Sequence, residues 1–179
     1  MTKESLNKRE VAEFLRVIDR IDDKALFTLA LTTGIRREDI VGIDLSNINW
    51  QNNTLTFWEQ KKDRFWTVPL EADTMIALKM YINTLSKGSK KLFAFTGRTA
   101  YNRLHRYMEK ADIKKKIPFH ALRTTFVKRS KEIGRDIKAV QQITGDSERT
   151  ILKHYSEWTM DELKEIIEKK PILEVEERK

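Results

Sequence analysis

The chain has 179 residues, enough for one sizeable domain with its own core, and its lack of cysteine excludes disulfides, thiolate nucleophiles and Cys-ligated zinc. No apolar run reaches membrane-spanning length, and Met1 to Leu6 lack the apolar core of a signal peptide, so a cytoplasmic location without a membrane partner is expected. Lys and Arg number 35 against 27 Asp and Glu, and the net charge of +8 favours a polyanionic partner, nucleic acid first, over a merely basic soluble protein. Charged residues make up 35% of the chain while Gly and Pro are few, a balance that leans towards a thermophilic source.

The first helix is expected from Asn7, which can cap it, with Glu10 completing a capping box and Val11, Phe14, Leu15 and Ile18 on one face. Asp22 or Asp23 is expected to cap a second helix through Leu26, Leu29 and Ala30, which Gly34 ends. A third, short helix follows from Arg37 to about Ile43. The period then changes. Thr54–Glu59 and Arg64–Val68 are rich in β-branched and aromatic residues and flank Lys61, Lys62 and Asp63. They predict a β-hairpin with a basic tip, preceded by a strand at Ile48–Trp50 and stopped by Pro69.

Helical spacing returns from Glu71 to Leu85. A short apolar piece at Leu92–Phe95 precedes a helix from about Thr99 to Ala111. Pro118 suits the first turn of a helix that carries His120 and Arg123 and runs to Ile133. Asp136 caps Ile137–Ile143, Gly145 ends that helix, and Ser147 opens a segment reaching Tyr155. Thr159 and Glu162 form a capping box for a last helix to about Lys169. The expected fold is therefore mainly α with a small antiparallel β-sheet, an α+β class.

Several chemistries are not signalled. The three histidines, His105, His120 and His154, have no zinc-binding spacing, and no phosphate-cradling or dinucleotide glycine motif is present. No cofactor or metal is expected. What remains is a set of individually weak signals. His120 and Arg123, three residues apart, share a helix face, where an imidazole and a planar donor fork can meet a phosphate; a surface pair on an amphipathic helix reads the same way. Arg36 stands at a helix start, either as a phosphate clamp or as an ordinary exposed arginine. Lys61 at a hairpin tip is a solvated turn lysine or a proton donor reaching into a DNA groove. Tyr155, near Leu152 and Trp158, is a half-buried core tyrosine or a nucleophile. Lys62, Arg64, Arg98 and Arg103 are candidate DNA phosphate contacts or simply surface cations.

The order and context of these residues resemble the tyrosine recombinases. The family's first box, Thr-Gly-Leu-Arg-x-x-Glu-Leu, corresponds to Thr33-Gly34-Ile35-Arg36-Arg37-Glu38-Asp39-Ile40. The hairpin lysine, eight residues before the proline of a Val-Pro-Leu end, selects Lys61 ahead of Pro69. The second box, His-x-Leu-Arg-x-x-Phe, is met by His120, Leu122, Arg123 and Phe126. The last, Gly-His followed nine residues later by Tyr, is met by Gly145, Asp146 and Tyr155, with Asp146 in place of the family's His or Trp.

The resemblance covers roughly residues 6–165. It implies the tyrosine recombinase catalytic-domain fold over residues 1–170, with 171–179 as a C-terminal tail; the family usually carries an N-terminal core-binding domain, which is expected to be absent here because only a few residues precede the first helix. It implies a site-specific recombinase or integrase that cleaves and rejoins double-stranded DNA through a 3′-phosphotyrosyl link, without metal or ATP. Arg36, Lys61, His120, Arg123 and Tyr155 are its catalytic set, Asp146 stands at a sixth position, and the working assembly is a homotetramer on two DNA sites. Relaxation of supercoils in the manner of a type IB topoisomerase, or DNA binding by a catalytically weakened descendant, are the alternatives.

Overall fold

A computed structural model of the protein describes residues 5–155 together with residues 160, 164 and 168; the side chains of residues 153–155 lie outside that description. The chain opens with α1 (Lys8–Arg16), α2 (Ile21–Thr33) and α3 (Arg37–Val41), then enters a sheet of β1 (Ile48–Asn49), β2 (Thr54–Glu59) and β3 (Arg64–Pro69). It continues through α4 (Ala72–Ile82), α5 (Gly97–Lys110), α6 (Ala121–Glu132), α7 (Ile137–Thr144) and α8 (Glu148–Tyr155). The architecture is mainly α with one antiparallel sheet of order β1-β2-β3. The expected last helix from Thr159 and the tail from Pro171 lie outside the described residues.

The expected capping box holds at α1: the Asn7 side chain accepts from the Glu10 backbone N–H at 2.9 Å, and Glu10 accepts from the Asn7 N–H at 2.8 Å. At α2 the expectation needs correction. Its N-cap is Arg20, which makes no side-chain cap bond, and Asp22 and Asp23 sit inside the first turn. Both carboxylates are drawn sideways instead, because Arg103 Nη1 donates to Asp22 at 2.7 Å and to Asp23 at 2.6 Å. Tyr107 Oη lies 2.8 Å from Asp23, which is fully buried. Charge pairing in the interior outweighs the local capping preference here.

Every residue of α2 from Ala25 to Ala30 is buried, as expected of a helix enclosed by neighbours rather than facing water. The core forms around it. Phe14 meets Phe27 edge to face at 5.0 Å, and Tyr107 of α5 packs on both. A smaller cluster of Phe126, Val127, Val140 and Ile151 fastens α7 and α8 to α6. Ile151 is fully buried, so α8 is anchored four residues before Tyr155.

In the hairpin, Glu59 pairs with Arg64 across a 3-10 turn at Gln60–Lys62, and Lys61 is at the tip as the sequence predicts. Inward positions alternate as Leu55, Phe57 and Glu59, so the strand period carries a carboxylate into the interior. The helix expected to carry both His120 and Arg123 begins at Ala121. His120 is its N-cap residue, in a turn where the Ala121 N–H bonds to the Pro118 carbonyl at 2.9 Å.

Candidate active site

Three chain reversals converge beside the hairpin. The first is at Gly34, which ends α2 in the left-handed conformation with φ of 65°. A Cβ at Gly34 would stand 2.9 Å from Phe126 Cδ1 and 3.4 Å from Arg123 Cγ, so the glycine lets this turn lie directly on α6. The chain leaving it places Arg36 as the N-cap residue of α3. The second is the turn before α6, with His120 exposed at its end and Arg123 buried one turn later. The third is at Gly145, φ 66°, which ends α7 and places Asp146 between the two arginines.

Arg123 is only 4% exposed, and nearly all its donors are spoken for. Its Nη1 donates to the Gly34 carbonyl at 2.8 Å and its Nη2 to the Thr144 carbonyl at 2.6 Å. Its Nε donates to Asp146 Oδ2 at 3.0 Å, and Nη2 also meets Asp146 Oδ1 at 2.6 Å. One guanidinium thus ties the α2 end, the α7 end and the α7–α8 turn to α6. Burial presses the Arg123 pKa down, and the hydrogen bond and charge of Asp146 oppose this without cancelling it. A guanidinium keeps its charge at neutral pH under such pressure.

Arg36 Nη1 donates to Glu59 Oε1 at 2.5 Å and Nη2 to Asp146 Oδ1 at 3.0 Å. Glu59, 1% exposed, also accepts from Arg64 Nε at 2.9 Å. Burial pushes the Glu59 carboxyl up, yet Arg36, Arg64 and Lys62 together hold it below the ordinary carboxylate range. Asp146 behaves alike: burial raises its pKa, and Arg123, then Arg36 and His120, overcome that and hold it low. Asp39 goes the other way. Burial, reinforced by the Glu59 charge, pushes its carboxyl up against the opposing Gln60 bond and the Arg36 and Arg123 charges. Its Oδ1 accepts the Gln60 N–H at 3.1 Å, which ties the base of the hairpin tip to α3, and its buried Oδ2 has no hydrogen-bond partner among the described residues.

Arg36, Lys61, His120 and Arg123 line one cleft of about 580 Å³, with Tyr101 and Phe119 on its far wall. Arg36 and Lys61 also border a second groove of about 620 Å³ that runs past Lys62, Arg64 and Asp146. The two depressions share Arg36 and Lys61 at the basic tip of the hairpin and together make up a trough. Four of the five residues expected to do chemistry are therefore brought together. The backbone of the fifth, Tyr155, is in α8, and its side chain lies outside the described residues.

The candidate DNA contacts divide differently. Lys62 Nζ donates to the Gly145 carbonyl and so braces the α7–α8 turn from the hairpin side, while Arg64 lies 3.8 Å over the Trp66 ring and holds Glu59. Arg98 is exposed on the first turn of α5, beside Tyr101. Arg103 does not reach the trough at all. It pairs with Asp22 and Asp23, with the ring of Phe95 at 4.2 Å, inside the helical body.

Sequence reading missed Glu59 and Tyr101. The signal for Glu59 was present, since it falls on the inward phase of β2 after Leu55 and Phe57. Tyr101 had none, because its part depends on how α5 lies against the loop before α6.

The phage integrase family matches residues 4–162 of the chain. The tyrosine recombinase XerA of Pyrococcus furiosus is 28% identical over 181 residues, covering 95% of this chain and 63% of that protein. The chain thus spans less than two thirds of this curated relative. Among solved structures, the XerA recombinase superposes with a TM-score of 0.80 at 22% identity, over 93% of this chain and 63% of the other. The Tn1549 transposon integrase, solved in complex with a circular intermediate DNA, superposes with a TM-score of 0.76 at 19% identity, over 95% and 67%. These likenesses extend the fold match across the trough and the elements that build it. The chain belongs to the phage integrase family.

Proposed function

We propose that the chain is the catalytic domain, over residues 1–170, of a site-specific DNA recombinase that cleaves and rejoins strands with Tyr155 as nucleophile. The observation that carries this reading is the convergence of Arg36 and Arg123. They come from separate helices to within 3.0 and 2.6 Å of one oxygen, in a cleft shared with Lys61 and His120. Two fixed guanidiniums around one anion suit the charge that builds on non-bridging phosphate oxygens during in-line attack.

In the proposed reaction the Tyr155 phenolic oxygen bonds to the scissile phosphorus as the bond to the 5′-oxygen breaks. His120 accepts the phenolic proton, because a phenol with a pKa near ~10 is a poor nucleophile at neutral pH. Lys61 protonates the departing 5′-oxygen. The phosphodiester energy is kept in the phosphotyrosyl link, and a 5′-hydroxyl from another strand reverses the step. Lys62, Arg64 and Arg98 border the DNA path, which is double-stranded, and the proposed assembly is four protomers on two sites. The DNA-bound Tn1549 integrase, which shares the fold, supports a DNA partner.

The test is covalent trapping. The protein is incubated in EDTA with a pool of nicked duplexes of randomised sequence, and SDS-resistant protein–DNA adducts are collected. Wild type should form them and Tyr155→Phe should not. A wild-type protein that binds DNA yet never forms an adduct would sink the catalytic reading in favour of a DNA-binding descendant.

A further inference from the structure

We propose that the Asp146 carboxylate sits in the seat of the scissile phosphate, aims Arg36 and Arg123 at that point, and is displaced when a phosphate enters. The inference rests on the recombinase reading for the identity of the phosphate, and on geometry for the seat itself. Asp146 Oδ1 lies 2.6 Å from Arg123 Nη2 and 3.0 Å from Arg36 Nη2, while Oδ2 accepts from Arg123 Nε at 3.0 Å. That is the side-on, two-oxygen grip by which a guanidinium holds a phosphate.

The donor inventory makes the competition unavoidable. A guanidinium has five N–H donors. Those of Arg123 go to Gly34 and Thr144 carbonyls and to both Asp146 oxygens, which leaves a single Nη1 hydrogen for any other anion. The carbonyl bonds are part of the packing, since they fix the ends of α2 and α7. Only the Asp146 bonds can be exchanged without taking the fold apart. Asp146 stands on the turn after Gly145, at the edge of the groove, and its side chain is 17% exposed, so a path outward exists. A carboxylate that stayed would set a second negative charge against the phosphate in a half-buried site. A His or Trp at this position, as in the family's motif, donates to the phosphate and needs no such exchange.

Asp146 is therefore a positioning residue with a cost. It keeps two neighbouring guanidiniums together, and it raises the phosphate concentration needed to fill the seat. Inorganic sulfate is the probe, with sodium chloride at matched ionic strength as control. Without sulfate, Asp146→Asn and Asp146→Ser should melt below wild type, because Arg123 loses its carboxylate partner and Arg36 keeps only Glu59. Sulfate should restore the variants, with its half-effect at a concentration roughly tenfold lower than in wild type. Adding Arg36→Ala to either variant should abolish that extra response.

Should a variant be unfolded in chloride, refolding at a sulfate concentration that leaves its Arg36→Ala derivative unfolded supports the seat, and refolding of both or neither contradicts it. An equal sulfate response in wild type and both variants overturns the proposal. None of these readings involves DNA cleavage, so an absent covalent adduct would count against the recombinase reading alone.

Discussion

Among single residues, Arg123 joins architecture to chemistry most directly. Its four bonds tie the Gly34 and Gly145 reversals to α6, and the same fork faces the cleft. Arg123→Lys keeps the charge and loses the fork. We expect a loss of roughly 1–3 kcal/mol of stability, from carbonyls left without donors, measured by urea unfolding. Adduct formation should fall by about 10²–10³-fold, as for the loss of one transition-state donor. A lysine variant with full activity would show that a point charge is enough.

The carboxylates of Glu59 and Asp146 give the site a pH signature. Both folded pKa values are depressed, so their contribution is present above the ordinary carboxylate range and is lost as pH falls through the depressed values. Asp39 opposes this, because its raised pKa makes its contribution largest in acid and smaller as pH rises. With Glu10, Asp19 and Asp22 also depressed, five lowered carboxylates against one raised predict a urea midpoint that drops below about pH 4. Arg36→Gln removes a shared partner of Glu59 and Asp146, and should make that drop shallower. An unchanged acid slope in the variant would detach Arg36 from both carboxylates.

At the level of elements, the site depends on where helices stop. Gly34 carries the clearest prediction. Alanine there would be forced into φ near 65°, with its Cβ 2.9 Å from Phe126. Left-handed strain and overpacking together should cost about 2–4 kcal/mol by chemical denaturation. Activity should fall further than stability, because the turn that shifts carries Arg36. A Gly34→Ala protein of wild-type stability would refute the close approach of the α2 end to α6.

Much of this scaffold was legible in the sequence. Asn7 with Glu10, Asp136, Gly34 and Gly145 mark helix ends by local chemistry alone, and the structure agrees at each. The failures have a common cause. Asp22 and Asp23 look like caps until Arg103 and Tyr107 arrive from α5, and Arg103 looks like a surface cation until those carboxylates are in place. The helix of His120 starts about one turn later than Pro118 suggests, because Pro118 opens a tight turn first and leaves His120 as the N-cap. Local signals set element ends; partners distant in sequence decide what a charged side chain does between them.

At the largest scale, the described residues form a helical body with a basic trough at the hairpin tip, bordered by α3, the start of α6 and the α7–α8 turn. The motif residues could be ordered along the chain from sequence, but their convergence could not, since Arg36 and Arg123 meet only through packing of α2 against α6. The +8 charge and the trough together predict DNA binding dominated by phosphate contacts, with affinity falling linearly in log–log salt titrations. Affinity indifferent to salt would argue for a protein partner instead.

The central claim is that this trough presents a phosphate to Tyr155. It is tested most directly by digesting the trapped protein–DNA adduct and identifying the DNA-linked peptide by mass spectrometry. The account predicts a phosphotyrosyl bond to a 3′-phosphate at Tyr155. A link at any other residue, or to a 5′-phosphate, would contradict it.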